Sequence, residues 1–69
     1  MHHADIKARI EKAGDSQVAI AARLKVSPTT VNLVIKGKTH SRRIAVEIAK
    51  VVGCNLEQLW PGVYPRKAA

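Results

Sequence analysis

Residues 28–36 carry hydroxyl, amide and methyl groups at helical spacing. In a helix that turns about 100° per residue, one side is apolar and consists of Val31, Val34 and Ile35. We expect this side to face the core. The opposite side centres on Thr29, Leu33 and Lys36, with Asn32 beside them. Hydroxyl and amide groups hydrogen-bond to base edges in a DNA major groove, where a leucine also contacts the thymine methyl group. The candidate base contacts are therefore Pro28, Thr29, Thr30, Asn32 and Leu33.

A leucine on the polar side of a short helix is also compatible with two roles that do not involve DNA. Leu33 is then either an isolated apolar side chain on the surface, which is common in globular proteins, or a contact with a partner chain. The residue pattern alone leaves these alternatives open.

Basic side chains crowd the segment KGKTHSRR, which contains no acid; they are Lys36, Lys38, Arg42 and Arg43. Such a cluster is usually a solvated charge run. However, Arg42 and Arg43 fall in the first turn of an expected helix, where the macrodipole repels cations by about 0.3–1 kcal/mol. Such a placement makes sense if phosphates dock there, so we predict phosphate contacts at these four residues. Gln17, at the start of another helix, is a fifth candidate because helix-terminal amides bind anions.

Other groups of reactive side chains give weaker indications. His2, His3 and His40 suggest a metal only by type, and neighbouring histidines near a terminus are more often uncoordinated. The five acids are dispersed, so no catalytic constellation can be assembled, and we expect no enzymatic activity and no metal. Cys54 is the single cysteine, which excludes an intramolecular disulfide and is expected to be a small buried hydrophobe.

The size and composition of the chain favour one small domain, residues 1–69. Its 69 residues are 46% hydrophobic, enough for a packed core, and 12 basic against 5 acidic residues give a net charge of +7, which attracts polyanions. No apolar run approaches the roughly 20 residues of a membrane span, and no signal peptide is recognisable. We expect a cytoplasmic protein without a membrane partner.

Helix start and stop residues divide the chain into about five short helices. The first is expected over residues 4–13, before Gly14. The next three are expected to begin at the caps Ser16, Ser27 and Ser41. The last, LEQLW, follows a capping box of Asn55 and Gln58 and stops at Pro61. The prediction is an all-α compact bundle with an ordered core over about 4–64 and a short irregular tail, 65–69.

The second and third expected helices form a helix-turn-helix pattern. They are joined by three residues, the third helix opens with Pro28, and the small Ala21 lies where the two backbones would approach most closely. Lys25 departs from the pattern because glycine is frequent there. A left-handed Lys25 would carry a strain of about 1 kcal/mol.

Several stretches of the chain resemble a known family. They are HHADIKARIEKAG, the pair of helices over residues 16–36, RRIAVEIAKVVG and, most specifically, LEQLWPGVYP. Together they are similar to the Ner-like proteins of transposable phages and their bacterial relatives, within the lambda-repressor-like helix-turn-helix class. The resemblance implies a five-helix fold, operator binding and transcriptional control, with no cofactor.

These observations predict a sequence-specific double-stranded DNA-binding transcriptional regulator, a repressor encoded by a phage or a bacterium, that reads the major groove with helix 28–36. We expect a homodimer on the operator, while a monomeric free protein is left open. Two alternatives are a protein–protein interaction module that presents Leu33 and a weakly specific architectural DNA-binding protein. Competition with unrelated duplex DNA separates the three.

Overall fold

The computed structural model describes residues 1–64, which form five α-helices without a strand. They are α1 (His3–Lys12), α2 (Gln17–Leu24), α3 (Pro28–Ile35), α4 (Arg42–Val52) and α5 (Leu56–Leu59). The predicted all-α bundle is confirmed, and each helix lies within one residue or so of its expected bounds. The predicted tail, 65–69, lies outside the described residues.

Side-chain caps begin the helices where the sequence predicted them. The Ser16 hydroxyl accepts a hydrogen bond from the Ala19 amide at 3.0 Å, and Ser27 and Ser41 cap α3 and α4 in the same way. Asn55 forms the expected capping box at the start of α5. Because these bonds join residues three apart, a cap of this kind needs no tertiary contact. The cap of α1 was not predicted; there the His2 Nδ1 accepts from the Ala4 amide at 3.1 Å.

The core lies between all five helices, and α4 packs against each of the other four. Its buried hydrophobic side chains are Ile6, Ile10, Ile20, Ala21, Val31, Val34, Ile35, Ile44, Ala45, Ile48, Ala49, Leu59, Trp60 and Tyr64. Cys54, expected to be a small buried hydrophobe, is half-buried and packs against this core. Ala13, expected to be the last residue of the first helix, lies just beyond α1 and is exposed.

Trp60 and Tyr64 fasten the end of the described chain to the helix-turn-helix pair and α4. The Trp60 Nε1–H donates to the Ile35 carbonyl at 3.1 Å in a buried hydrogen bond. The two rings meet edge to face at 5.5 Å, and the Tyr64 hydroxyl accepts from the Ser41 amide at 3.2 Å. Both ends of the connection between α3 and α4 are thereby held by residues that follow α5.

No single helix within residues 1–64 is long and apolar enough to cross a membrane. The bent pair of α2 and α3 reaches the required length and hydropathy only when the two are taken together, a property that buried helices of globular domains share.

Candidate nucleic-acid interface

The turn between α2 and α3 has the geometry of a helix-turn-helix pair. The chain bends by 113° across it, within the roughly 90–120° typical of the motif. The Val26 amide donates to the Ala21 carbonyl at 3.0 Å and the Lys25 amide to the Ala22 carbonyl at 3.3 Å, the pairing of a Schellman motif. Lys25 adopts a left-handed conformation with φ of 58°, so the strain of about 1 kcal/mol expected for that conformation applies.

The two faces of α3 differ in burial as the helical spacing predicted. Val31 and Val34 are fully buried and Ile35 is 2% exposed. The candidate base contacts all lie outside the core: Pro28 and Thr29 are exposed, and Thr30, Asn32 and Leu33 are half-buried. Leu33 is not among the half-buried hydrophobic side chains that pack against the core. The base contact of Leu33 stays a prediction. Packing in this core does not explain why a leucine stands at this position.

Thr30 already has a partner within its own helix turn. Its hydroxyl lies 2.9 Å from the hydroxyl of Ser27, whose oxygen also accepts from the Thr30 amide at 3.2 Å. Thr30 thus reinforces the cap that starts α3. A base contact by Thr30 stays a prediction.

The cationic segment after α3 is held close to the outward face of α3, which carries Thr29 and Leu33. Gly37 has a left-handed φ of 76°, and the Lys38 amide donates to the Leu33 carbonyl at 3.0 Å. Lys36 and Lys38 are both exposed. Their ammonium groups therefore extend the positive surface from the end of α3 along the connection to α4.

The arginines at the start of α4 are exposed, and one of them bonds to the turn. The Arg43 Nη2 donates to the Leu24 carbonyl, the last of α2, at 2.7 Å. The two residues are 19 positions apart, and no pattern in the sequence predicted this contact. The phosphate contacts of Arg42 and Arg43 stay predictions.

Two acids that the sequence left dispersed meet at one guanidinium. Arg23 donates to both carboxylate oxygens of Asp15, at 2.7 and 3.2 Å, and to Glu47 at 3.2 Å. The hydrogen bond from Arg23, reinforced by the Ser16 amide, lowers the pKa of Asp15, and the same carboxylates raise the pKa of Arg23. Through these two ion pairs, Arg23 joins α2 to the α1–α2 connection and to α4.

The start of α2 combines a polar and an apolar group at the surface. Gln17, the predicted phosphate ligand, is the first residue of α2 and is half-buried. Val18 beside it is 64% exposed. Among residues 1–64, it is the large hydrophobic side chain that lies open to solvent. The sequence did not single out Val18, since it lies in an otherwise apolar helix.

His2 and His3 lie side by side, with ring centroids 4.2 Å apart, whereas His40 lies against Tyr64. His40 packs edge to face on Tyr64, with ring centroids 6.0 Å apart. Partial desolvation lowers the pKa of His3, and the positive charges of His2, Lys7 and Lys36 lower it further. Among residues 1–64, no group of three His, Cys, Asp or Glu side chains is arranged to hold a metal ion.

A family model described as winged helix-turn-helix DNA-binding matches residues 1–69, the whole chain. The chain belongs to this family of DNA-binding domains. Winged domains carry a β-hairpin, the wing, beside the helix-turn-helix. Residues 1–64 of this chain contain no strand and therefore no such hairpin. No curated protein and no solved structure shows significant similarity to the chain.

Proposed function

We propose that this winged helix-turn-helix domain is a sequence-specific double-stranded DNA-binding transcriptional regulator of the Ner-like, lambda-repressor-like type, and that it acts as a repressor in the cytoplasm without catalytic activity. The observation that carries the proposal is the outward face of α3. Thr29 is exposed there, and Leu33 lies outside the core on a helix bent by 113° from its partner. A polar and apolar face on a projecting helix suits the mixed chemistry of a major groove.

In this proposal α3 lies in the major groove and the surrounding cations contact the backbone. Thr29, Asn32 and Leu33 contact base edges, with Pro28 and Thr30 beside them at the start of α3. Lys36, Lys38 and Arg42 contact phosphates after α3, and Gln17 contacts a phosphate at the start of α2. Phosphate contacts position the domain while base contacts provide specificity.

We further propose that two copies bind one operator. A single short helix reads only a few base pairs, too few to distinguish one site among about a million or more competing positions. The apolar groups near α5 are largely committed to the core, because Leu59, Trp60 and Tyr64 are buried. Among residues 1–64, half-buried Leu56 and Val63 leave some apolar surface near α5 for a second copy, and so small a surface favours a weak pairing that forms on DNA.

Selecting duplexes from a random pool with the full chain tests the function directly. We expect an enriched motif and a preference of at least about a thousandfold over unrelated duplex DNA. Equal binding to all duplexes would support an architectural protein instead, and no binding to any duplex would support a protein-interaction module.

Lys38→Ala is expected to weaken binding to all duplexes by a similar factor. It removes an exposed charge whose backbone is fixed to α3, so the slope of log affinity against log salt should fall by about one unit. Titrations at several salt concentrations measure this slope. Lys50→Ala, which removes an exposed charge from the last turn of α4, is the matched control and should leave the slope unchanged. An unaltered slope for Lys38→Ala would remove that residue from the interface.

Leu33→Ala is expected to reduce the preference for the selected site by about 1–3 kcal/mol while leaving the fold nearly intact. The reason is that Leu33 lies outside the core, whereas Val31 on the other face is fully buried. Val31→Ala is therefore the matched control and should lower the melting temperature. The prediction fails if Leu33→Ala destabilises the domain as much as Val31→Ala does.

A further inference from the structure

Arg43 reaches from the first turn of α4 to the last carbonyl of α2. Its Nη2 donates to the Leu24 carbonyl oxygen at 2.7 Å, a short distance typical of a charge-assisted hydrogen bond. The final carbonyls of a helix lack partners within the helix and form the negative end of its dipole, so a guanidinium there is stabilising. Arg43 therefore holds α2 at the residue directly before the turn.

The turn itself contains a conformation that needs support. The amides of Lys25 and Val26 bond to the carbonyls of Ala22 and Ala21, and neither of these bonds uses the Leu24 carbonyl. Lys25 has φ of 58°, a region that costs a residue with a Cβ atom free energy. Such a strained residue persists when its surroundings fix it in place. The donor supplied by Arg43 lies one residue away from the strain.

A second contact from the same side of α4 holds the same turn of α2. Glu47, four residues after Arg43 and hence on the same face of α4, accepts from Arg23 at 3.2 Å. Arg23 and Leu24 are the last two residues of α2. The end of α2 is thus attached to α4 at two points. In one contact the arginine belongs to α4, and in the other it belongs to α2.

We propose that Arg43 is a positioning residue for DNA recognition, which fixes the α2–α3 turn through the Leu24 carbonyl; this role replaces the phosphate contact that the sequence predicted for Arg43. The inference rests on the proposed function, since it assigns to Arg43 the orientation of the face that reads bases. Only three residues separate α2 from α3, so a turn released at Leu24 changes the direction of α3. Base contacts require that direction, while phosphate contacts carry no sequence information.

Binding measurements separate positioning from phosphate neutralisation. The probes are a duplex that the wild-type chain selects from a random pool and an unrelated duplex of the same length. Arg43→Ala should weaken binding to the selected duplex about tenfold and to the unrelated duplex by less than about twofold, with an unchanged salt slope. A slope reduced by about one unit, with both duplexes weakened alike as expected for Lys38→Ala, would overturn the proposal. Lys50→Ala again controls for the loss of one positive charge from α4.

Amide hydrogen exchange in the free protein tests the same residue without DNA. The amides of Lys25 and Val26 should exchange about tenfold faster in Arg43→Ala than in wild type, and should not change in Lys50→Ala. Adding Lys25→Gly, which removes the strain, should reduce the effect of Arg43→Ala. Unchanged exchange at both amides would contradict the proposal. If the wild-type chain selected no duplex, the proposed function would fail, whereas the exchange rates would still decide whether Arg43 holds the turn.

Discussion

Trp60→Ala is expected to unfold much or all of the domain. Trp60 is 5% exposed, and its removal takes away a large part of the core together with the donor to the Ile35 carbonyl and the edge-to-face contact with Tyr64. Truncations of this kind cost about 3–5 kcal/mol, a large fraction of the about 5–15 kcal/mol that stabilises a typical domain. Circular dichroism should show a melting temperature lower by about 12 °C or more, or no cooperative transition.

Trp60→Phe separates the hydrogen bond from the packing. Phenylalanine keeps most of the apolar contact but leaves the buried Ile35 carbonyl without its indole donor, at a cost of about 1–3 kcal/mol. Since Ile35 is the last residue of α3, this loss should also loosen the end of that helix. A melting temperature close to that of wild type for Trp60→Ala would show that α5 and the following turn are not part of the cooperative core.

Inserting five base pairs between the operator half-sites is expected to lower affinity by about a hundredfold or more. This prediction rests on the proposed pairing of two copies on one face of the duplex, with half-sites about 10 base pairs apart or a multiple of that. Five base pairs rotate one half-site to the opposite face, so the second copy no longer benefits from the first. Gel-shift titrations against the parent and the altered operator measure the loss.

A ten-base-pair insertion is the control for this experiment. It restores the rotational phase and should recover part of the affinity that the five-base-pair insertion removes. Light scattering of the free protein then reports whether pairing requires DNA. Undiminished affinity after the half-turn insertion would rule out two coupled copies and would favour a monomer that reads an extended single site.

The sequence by itself determined the helices, their starts and the two faces of α3. Caps such as Ser16 and Ser27 act over three residues, so the type and spacing of the side chains specify them before any tertiary contact forms. Burial of Val31 opposite a half-buried Leu33 follows from helical periodicity in the same way. The candidate recognition face was therefore readable from residue types alone.

Only the tertiary structure decided which polar groups are already occupied. Arg43 bonds to Leu24 across 19 residues, and Arg23 bonds to Glu47 across 24. These pairs exist because α4 packs against the end of α2, and neither charge nor spacing along the chain reveals that distance. The burial of Tyr64, whose hydroxyl accepts from Ser41 across 23 residues, has the same origin. Local hydrogen bonds are encoded by neighbouring residues, whereas the partner of a long flexible side chain is set by whichever helix end the packed core brings within its reach.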